Sequence, residues 1–237
     1  MIKLKHLLPP FKLLDNIHLS SGLIKDLQNL VTNLDDQFKP LIDVNKTASQ
    51  IHRNLVEDSY ENFYEIALTD SAVTNTSIDF NSLKVLDQNL DLGSKAKSFR
   101  NKKELMFNEN SLLNESLHNI RTKYYEQYQE LIDKVVDQFK SKPSRIRLGK
   151  VFAGKHISPH IDYDPSYKVR IIIPIISDKD CINTFWVKNE IISTTFNEGN
   201  AYFLNTGYRH AVMNFSKNDR YTLMISLDNQ QDIAHLL

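Results

Sequence analysis

From Arg145 onward the chain is a series of short β-branched runs, each broken by Gly, Asn, Asp or Pro. Runs of that length and composition read as strands separated by turns. Arg145 and Arg147 share one strand face, with Ile146 and Leu148 on the other. Lys168 to Ile176 forms another strand, on which Arg170 and Ile172 share a face. Thr184 to Val187, Ile191 to Phe196, Ala201 to Leu204 and Tyr221 to Leu227 complete the set. Asn197-Glu198-Gly199-Asn200 reads as a turn, with Gly199 free to take positive φ. Many short strands with turns between them indicate a sandwich or jelly roll.

Upstream the texture differs. Leu113, Leu117, Ile120, Tyr124, Tyr128, Leu131, Val135 and Phe139 recur at three- and four-residue steps, predicting one long amphipathic helix over Leu113 to Phe139 that ends at Lys142-Pro143. Phe11 to Phe38 reads as a strand or turn followed by a helix capped at Ser20 or Ser21, with Leu23, Leu27, Leu30 and Leu34 on one face. Ile51 to Leu68 is aromatic-rich and mixed, and Thr69 to Leu92 reads as loops with short strands. A chain of 237 residues suits one domain. We expect residues 1–142 to be a helical and mixed part packed on the core, not an independent domain, and residues 143–237 to be the core carrying the site.

The chemistry-bearing residues lie within those strands. His160 and Asp162, two apart on a strand, point to one face. A distant His210 can complete a set of two imidazoles and a carboxylate. That donor set, with the opposite positions open, suits non-haem Fe(II). Arg220, ten residues past His210, offers a planar fork for a carboxylate. His156 lies four before His160, a poor spacing on a strand, and is expected outside the ligand set.

The joint pattern resembles a known family. R-I-R-L-G-K-V-F-A-G-K-H-I-S-P-H-I-D, V-R-I-I-I-P-I, N-E-G-N-A-Y-F-L-N-T-G-Y-R-H-A-V-M-N and D-R-Y-T-L are similar to the aspartyl/asparaginyl β-hydroxylase-like branch of the 2-oxoglutarate/Fe(II) dioxygenases, which includes bacterial proline cis-hydroxylases. The resemblance implies a mainly β fold with flanking helices around a double-stranded β-helix, with Fe(II) held by His160, Asp162 and His210. Some members lack the acid, and here Asp162 is present. Arg220 matches the arginine that binds the distal carboxylate of 2-oxoglutarate. Arg170 matches a second basic residue that contacts co-substrate or substrate, although one branch carries His where this chain has Ile172. Arg145 and Arg147 lie where relatives place substrate-binding basic residues; read alone, they are equally a solvated strand face. Asn214 matches a motif position, as a structural amide or a substrate contact. The implied reaction decarboxylates 2-oxoglutarate with O2 and hydroxylates an unactivated C–H bond.

Lys plus Arg and Asp plus Glu both total 29, so nothing in the charge suggests a nucleic-acid or membrane-surface partner. The lone Cys181 cannot form an intrachain disulfide and reads as a buried bystander in a loop of a protein from a reducing compartment. Pro9-Pro10 cut the N-terminal apolar run short of a secretory signal, and Ile171 to Ile176 is too short to span a bilayer. A soluble, cytoplasmic protein is the expectation. The first functional reading is hydroxylation of a free amino acid or similarly small polar substrate. The alternatives are hydroxylation of Asp, Asn or Pro side chains in a polypeptide, and a cupin-like metal-binding protein without redox turnover.

Overall fold

The computed structural model describes residues 4–40, 62–71 and 114–237. Five strands among these precede the core: β1 (Phe11–His18), β2 (Lys39–Pro40), β3 (Phe63–Ala67), β4 (Thr69–Ser71) and β5 (His118–Arg121). The core strands are β6 (Pro143–Val151), β7 (His156–His160), β8 (Val169–Ile176), β9 (Cys181–Val187), β10 (Glu190–Thr195), β11 (Asn200–Leu204), β12 (Arg209–Asn214) and β13 (Arg220–Leu227). Among the described residues three α-helices accompany them: α1 (Ser21–Asn33), α2 (Lys123–Gln127) and α3 (Gln129–Val136).

The strands form a seven-stranded sheet, ordered β1-β11-β8-β13-β6-β3-β2, a four-stranded sheet, ordered β10-β9-β12-β7, and a two-stranded ribbon, β4-β5. The core chain crosses repeatedly between the first two: β6, β8, β11 and β13 lie in the large sheet, and β7, β9, β10 and β12 in the small one. An antiparallel chain that alternates in this way between two packed sheets is a double-stranded β-helix, a closed architecture of the jelly-roll type. Alternation along each strand divides the side chains between two cores. On β13, Met224 joins an inner cluster with Ile172, Phe185, Tyr202 and Val212 between the sheets. Tyr221, Leu223, Ile225 and Leu227 instead join an outer cluster beneath the helices.

Helix α1 follows the expected pattern. Ser20 Oγ accepts from the Leu23 amide at 3.2 Å, capping the first turn, and Leu27, Leu30 and Leu34 are buried in the outer core. Each such leucine contributes about 1.5–3 kcal/mol by its removal from water. Gly199, in the turn before β11, has φ +72° and a Cβ there would fall 2.1 Å from Ile24 Cδ1. Only glycine both turns the chain there and lets α1 seat on it.

The single helix expected over Leu113 to Phe139 is not what forms. Leu113 lies outside the described residues. Glu115–Leu117 is a 3-10 turn, His118–Arg121 is β5 paired with β4, and helix begins only at Lys123. Thr122 supplies the stop and start: its hydroxyl donates to the Ala67 carbonyl at 2.9 Å and caps α2 by accepting from the Tyr125 amide. Pairing with a strand distant in sequence overrides the local period, and leaves Ile120 47% exposed. Of the earlier stretches, 51–61 and 72–92 lie outside the described residues, whereas Phe63–Ala67 and Thr69–Ser71 are strands.

At the edge of the small sheet, β7 pairs with β12 through a register shift between His210↔His160 and Val212↔Ile157. Three β7 steps match two on β12, a β-bulge that includes Pro159. An edge strand at a bulge tolerates a residue without an amide proton, and the bulge re-aims the side chain that follows it.

Candidate active site

The bulge delivers His160 directly opposite His210 on the neighbouring strand. Their ring centroids lie 4.3 Å apart, and both residues are buried. His160 Nδ1 lies 2.8 Å from the Ser158 carbonyl and His210 Nδ1 3.0 Å from the Tyr208 carbonyl. Each carbonyl calls for a proton on Nδ1, so both Nε2 atoms present lone pairs. Asp162 lies just past the end of β7, not on the strand as expected. Its amide donates to the Thr206 carbonyl at 3.1 Å, and its carboxylate reaches within 3.8 Å of His160 Nε2 and 3.9 Å of His210 Nε2. One ligand atom from each of the three lies within 4.8 Å of the others, a donor set for one ion of the Fe(II) type. Burial first, then the neighbouring His160, pushes the His210 imidazole down to about 4. It is therefore neutral at pH 7, the form that ligates a metal. Phe185 stacks on His210 at 6.2 Å. His156 is exposed and does not join the group.

Beside the triad the large sheet contributes charge. Arg145 and Arg147 face inward from β6 and Arg170 from β8, and neither Arg145 nor Arg147 is a solvated face. Arg147 pairs with the buried Glu65 of β3 at 3.0 Å. Arg145 and Arg170 both pair with Glu115, a buried residue of the 3-10 turn. Arg170 Nη2 reaches its two carboxylate oxygens at 3.1 and 3.3 Å, and Tyr163 and Ser226 donate hydroxyls to the same carboxylate. Burial opposes ionisation of Glu115, but the charges of Arg170, Arg145 and Arg147 outweigh it and hold the carboxyl far below the usual range. Burial pushes Arg170 down to about 10, against the pull of Glu115.

Glu115→Gln should therefore cost about 3–5 kcal/mol of stability, the usual result of leaving buried cations without their partner. The sign with pH follows. Because the folded carboxyl titrates below the ordinary glutamate value of 4.5, its contribution is complete above that pH and is lost as pH falls towards the folded value. Unfolding curves of wild type and Glu115→Gln should converge on acidification. A gap independent of pH would show that charge is not the cause.

At the far end of β13, Arg220 is 3% exposed and faces inward. Its Nη2 donates to Asn183 Oδ1 at 3.2 Å, and its Nε has no partner. No carboxylate pairs with it among the described residues, and burial pushes it down to about 10. A buried guanidinium without an anion fits a pocket for the carboxylate of a bound dicarboxylic acid.

Asn214 is a structural amide. Its Nδ2 donates to the carbonyls of Val151, Phe152 and Asn218, and its Oδ1 accepts from Ser216 and from the Cys181 thiol. It is 0% exposed and has no bonding capacity left for a substrate. Cys181 opens β9 instead of lying in a loop. Glu115, Glu65 and Asn183 escaped the sequence reading, although strict alternation back from Phe185 would have placed Asn183 inward.

A family profile described as aspartyl/asparaginyl beta-hydroxylase matches residues 89–230. No curated protein matches the chain. Among solved structures, an oxidoreductase of the 2OG-Fe(II) oxygenase family from Burkholderia pseudomallei is similar at 14% identity and TM-score 0.38, over 46% of this chain and 58% of that one. This chain thus spans little more than half the length of that protein. A prolyl hydroxylase from Trichoplax adhaerens, in complex with a hypoxia inducible factor peptide fragment, is similar at 11% identity and TM-score 0.49, over 95% and 86% of the two chains. A Pseudomonas putida prolyl-4-hydroxylase gives 11% identity and TM-score 0.47, over 92% and 91%.

Proposed function

The chain belongs to the aspartyl/asparaginyl β-hydroxylase family, a family of Fe(II)- and 2-oxoglutarate-dependent dioxygenases, and we propose that it hydroxylates a C–H bond of a free amino acid or similarly small polar acid. His160, Asp162 and His210 hold Fe(II), and Arg220 takes the distal carboxylate of 2-oxoglutarate. Bound there, iron, 2-oxoglutarate and O2 supply the oxidising equivalents: substrate C–H becomes C–OH while 2-oxoglutarate becomes succinate and CO2. The protein's part is to orient the reactants and exclude water.

The observation that supports this substrate class is the charge beside the triad. Among the described residues, Arg145, Arg147 and Arg170 form ion pairs with Glu65 and Glu115. The third acid that acts on Arg145 and Arg170 is Asp162, and with that carboxylate given to the metal one cation is left for a substrate. Arg170 Nε and Nη1 and Arg147 Nε are buried without partners. One substrate carboxylate supplies the missing charge and accepts from those donors. A backbone amide within a polypeptide brings no such charge.

The test is succinate release, with iron and ascorbate, across free amino acids, their carboxamides and short peptides. Turnover coupled to a free amino acid, and lost on amidation of its α-carboxylate, is the expected result. Better coupling with internal peptide residues would move the assignment to polypeptide hydroxylation. No succinate with any of them, from an iron-loaded protein, would leave a metal-binding protein without turnover.

A further inference from the structure

Two adjacent buried donors between the sheets have no hydrogen-bond partner. Strand β9 pairs with β12 so that Phe185 lies opposite His210 and Asn183 opposite Val212. Asn183 is thus one inward-facing position below His210, about 7 Å along the strand, a distance that a five-carbon dicarboxylic acid spans. Its Oδ1 accepts from Arg220 Nη2 at 3.2 Å. Its Nδ2 and Arg220 Nε are both buried without a partner, in side chains only 2% and 3% exposed. The amide cannot be turned over, because Nδ2 would then face a guanidinium donor. Nor can the polar neighbours relieve the pair: Asn214 is saturated, and the Cys181 thiol donates to it at 3.2 Å.

Orphaned donors at this depth are rare in native proteins, and each calls for an explanation. We infer that Asn183 is the second donor to the distal carboxylate of 2-oxoglutarate, acting with Arg220 to select a dicarboxylic 2-oxo acid. This rests on the co-substrate assignment above. The single bond to Arg220 fixes the amide in the orientation that aims Nδ2 away from the guanidinium, so the same contact that holds the arginine also positions the second donor.

The experiment is an anaerobic titration of Fe(II)-loaded protein, read by the visible charge-transfer absorption of a chelated 2-oxo acid. Wild type, Asn183→Ala and Asn183→Asp are each titrated with 2-oxoglutarate and with 2-oxovalerate, which has a methyl group in place of the distal carboxylate. Asn183→Ala should bind 2-oxoglutarate roughly 10- to 100-fold more weakly, the loss expected for one hydrogen bond to a charged group, and bind 2-oxovalerate as wild type does. Asn183→Asp keeps the acceptor for Arg220 but adds a carboxylate that competes with the ligand. It should raise the unfolding temperature of the metal-free protein and remove the preference for 2-oxoglutarate. Should Asn183→Ala fail to fold, the near-isosteric Asn183→Asp carries the comparison alone. Equal weakening of both acids, or of neither, would overturn the inference while leaving the co-substrate reading intact. Wild type that chelates 2-oxovalerate and 2-oxoglutarate equally well, or neither, overturns both.

Discussion

His210→Ala is expected to abolish stoichiometric Fe(II) binding, and turnover with it. The two imidazoles face one another across paired strands, each with Nδ1 tied to a backbone carbonyl, so neither can swing to compensate for loss of the other. Loss of an outer partner of a metal ligand typically costs 10- to 100-fold in affinity; loss of a ligand from a set of three should exceed about 100-fold. His160→Ala should behave alike. The strands should survive, because the ring removed packs on the side chains of His160 and Phe185, whereas the sheet is held by the β9–β12 ladder. Anaerobic Fe(II) titration with a colorimetric iron count separates the outcomes. His156→Ala, at an exposed position, should load iron fully. If that variant loses the metal while His160→Ala keeps it, the ligand set is wrong.

How much of this was legible in the sequence depends on the distance over which each feature is decided. Most of the core strands were, because alternation and turn residues are local, although β12 (Arg209–Asn214) was not among the runs read as strands. Val169–Ile176 and Arg220–Leu227 fall where the apolar runs put them. The turn at Gly199 was legible because positive φ is a property of one residue. The segment from Leu113 to Phe139 misled because a helical period persists by chance through Leu117 and Ile120, while β5 is decided by its partner β4, more than forty residues earlier. The signal at hand was Thr122, an N-cap residue in the middle of the supposed helix.

The same distinction runs through the site. His160, Asp162, His210 and Arg220 could be named, although β7 and β12 pair across a long stretch of chain, because their spacing and flanking motifs resemble those of a known family. Glu115 could not. It meets Arg145, Arg170 and Ser226 at separations of 30, 55 and 111 residues, and nothing around Glu115 in the sequence marks it. Asn183 was one alternation step from legible: counted back from Phe185 it faces inward, but its value as a donor depends on Arg220 lying across the barrel.

Arg220→Ala should raise the 2-oxoglutarate requirement by well over an order of magnitude while Fe(II) binding persists. A guanidinium holds a carboxylate by two coplanar charge-assisted hydrogen bonds, which the single ammonium of lysine cannot reproduce. Breaking one side of such a buried pair costs about 2–5 kcal/mol, or roughly 30-fold to several thousand-fold in affinity. Arg220→Lys should fall between. The metal-free protein should not suffer in proportion, since it already buries this cation without an acid among the described residues; its unfolding temperature should hold or rise. That opposition, weaker co-substrate binding without a matching loss of stability, separates a ligand-binding arginine from one held in a structural ion pair, whose loss strands a buried acid and costs stability. Arg170→Ala is the second control. If Arg170, with its free donors beside the triad, serves the substrate, its loss should leave substrate-independent succinate formation largely intact. Should Arg220→Ala retain its 2-oxoglutarate affinity while Arg170→Ala loses it, the co-substrate is anchored at the triad end of the barrel, and both Arg220 and Asn183 lose their assigned roles.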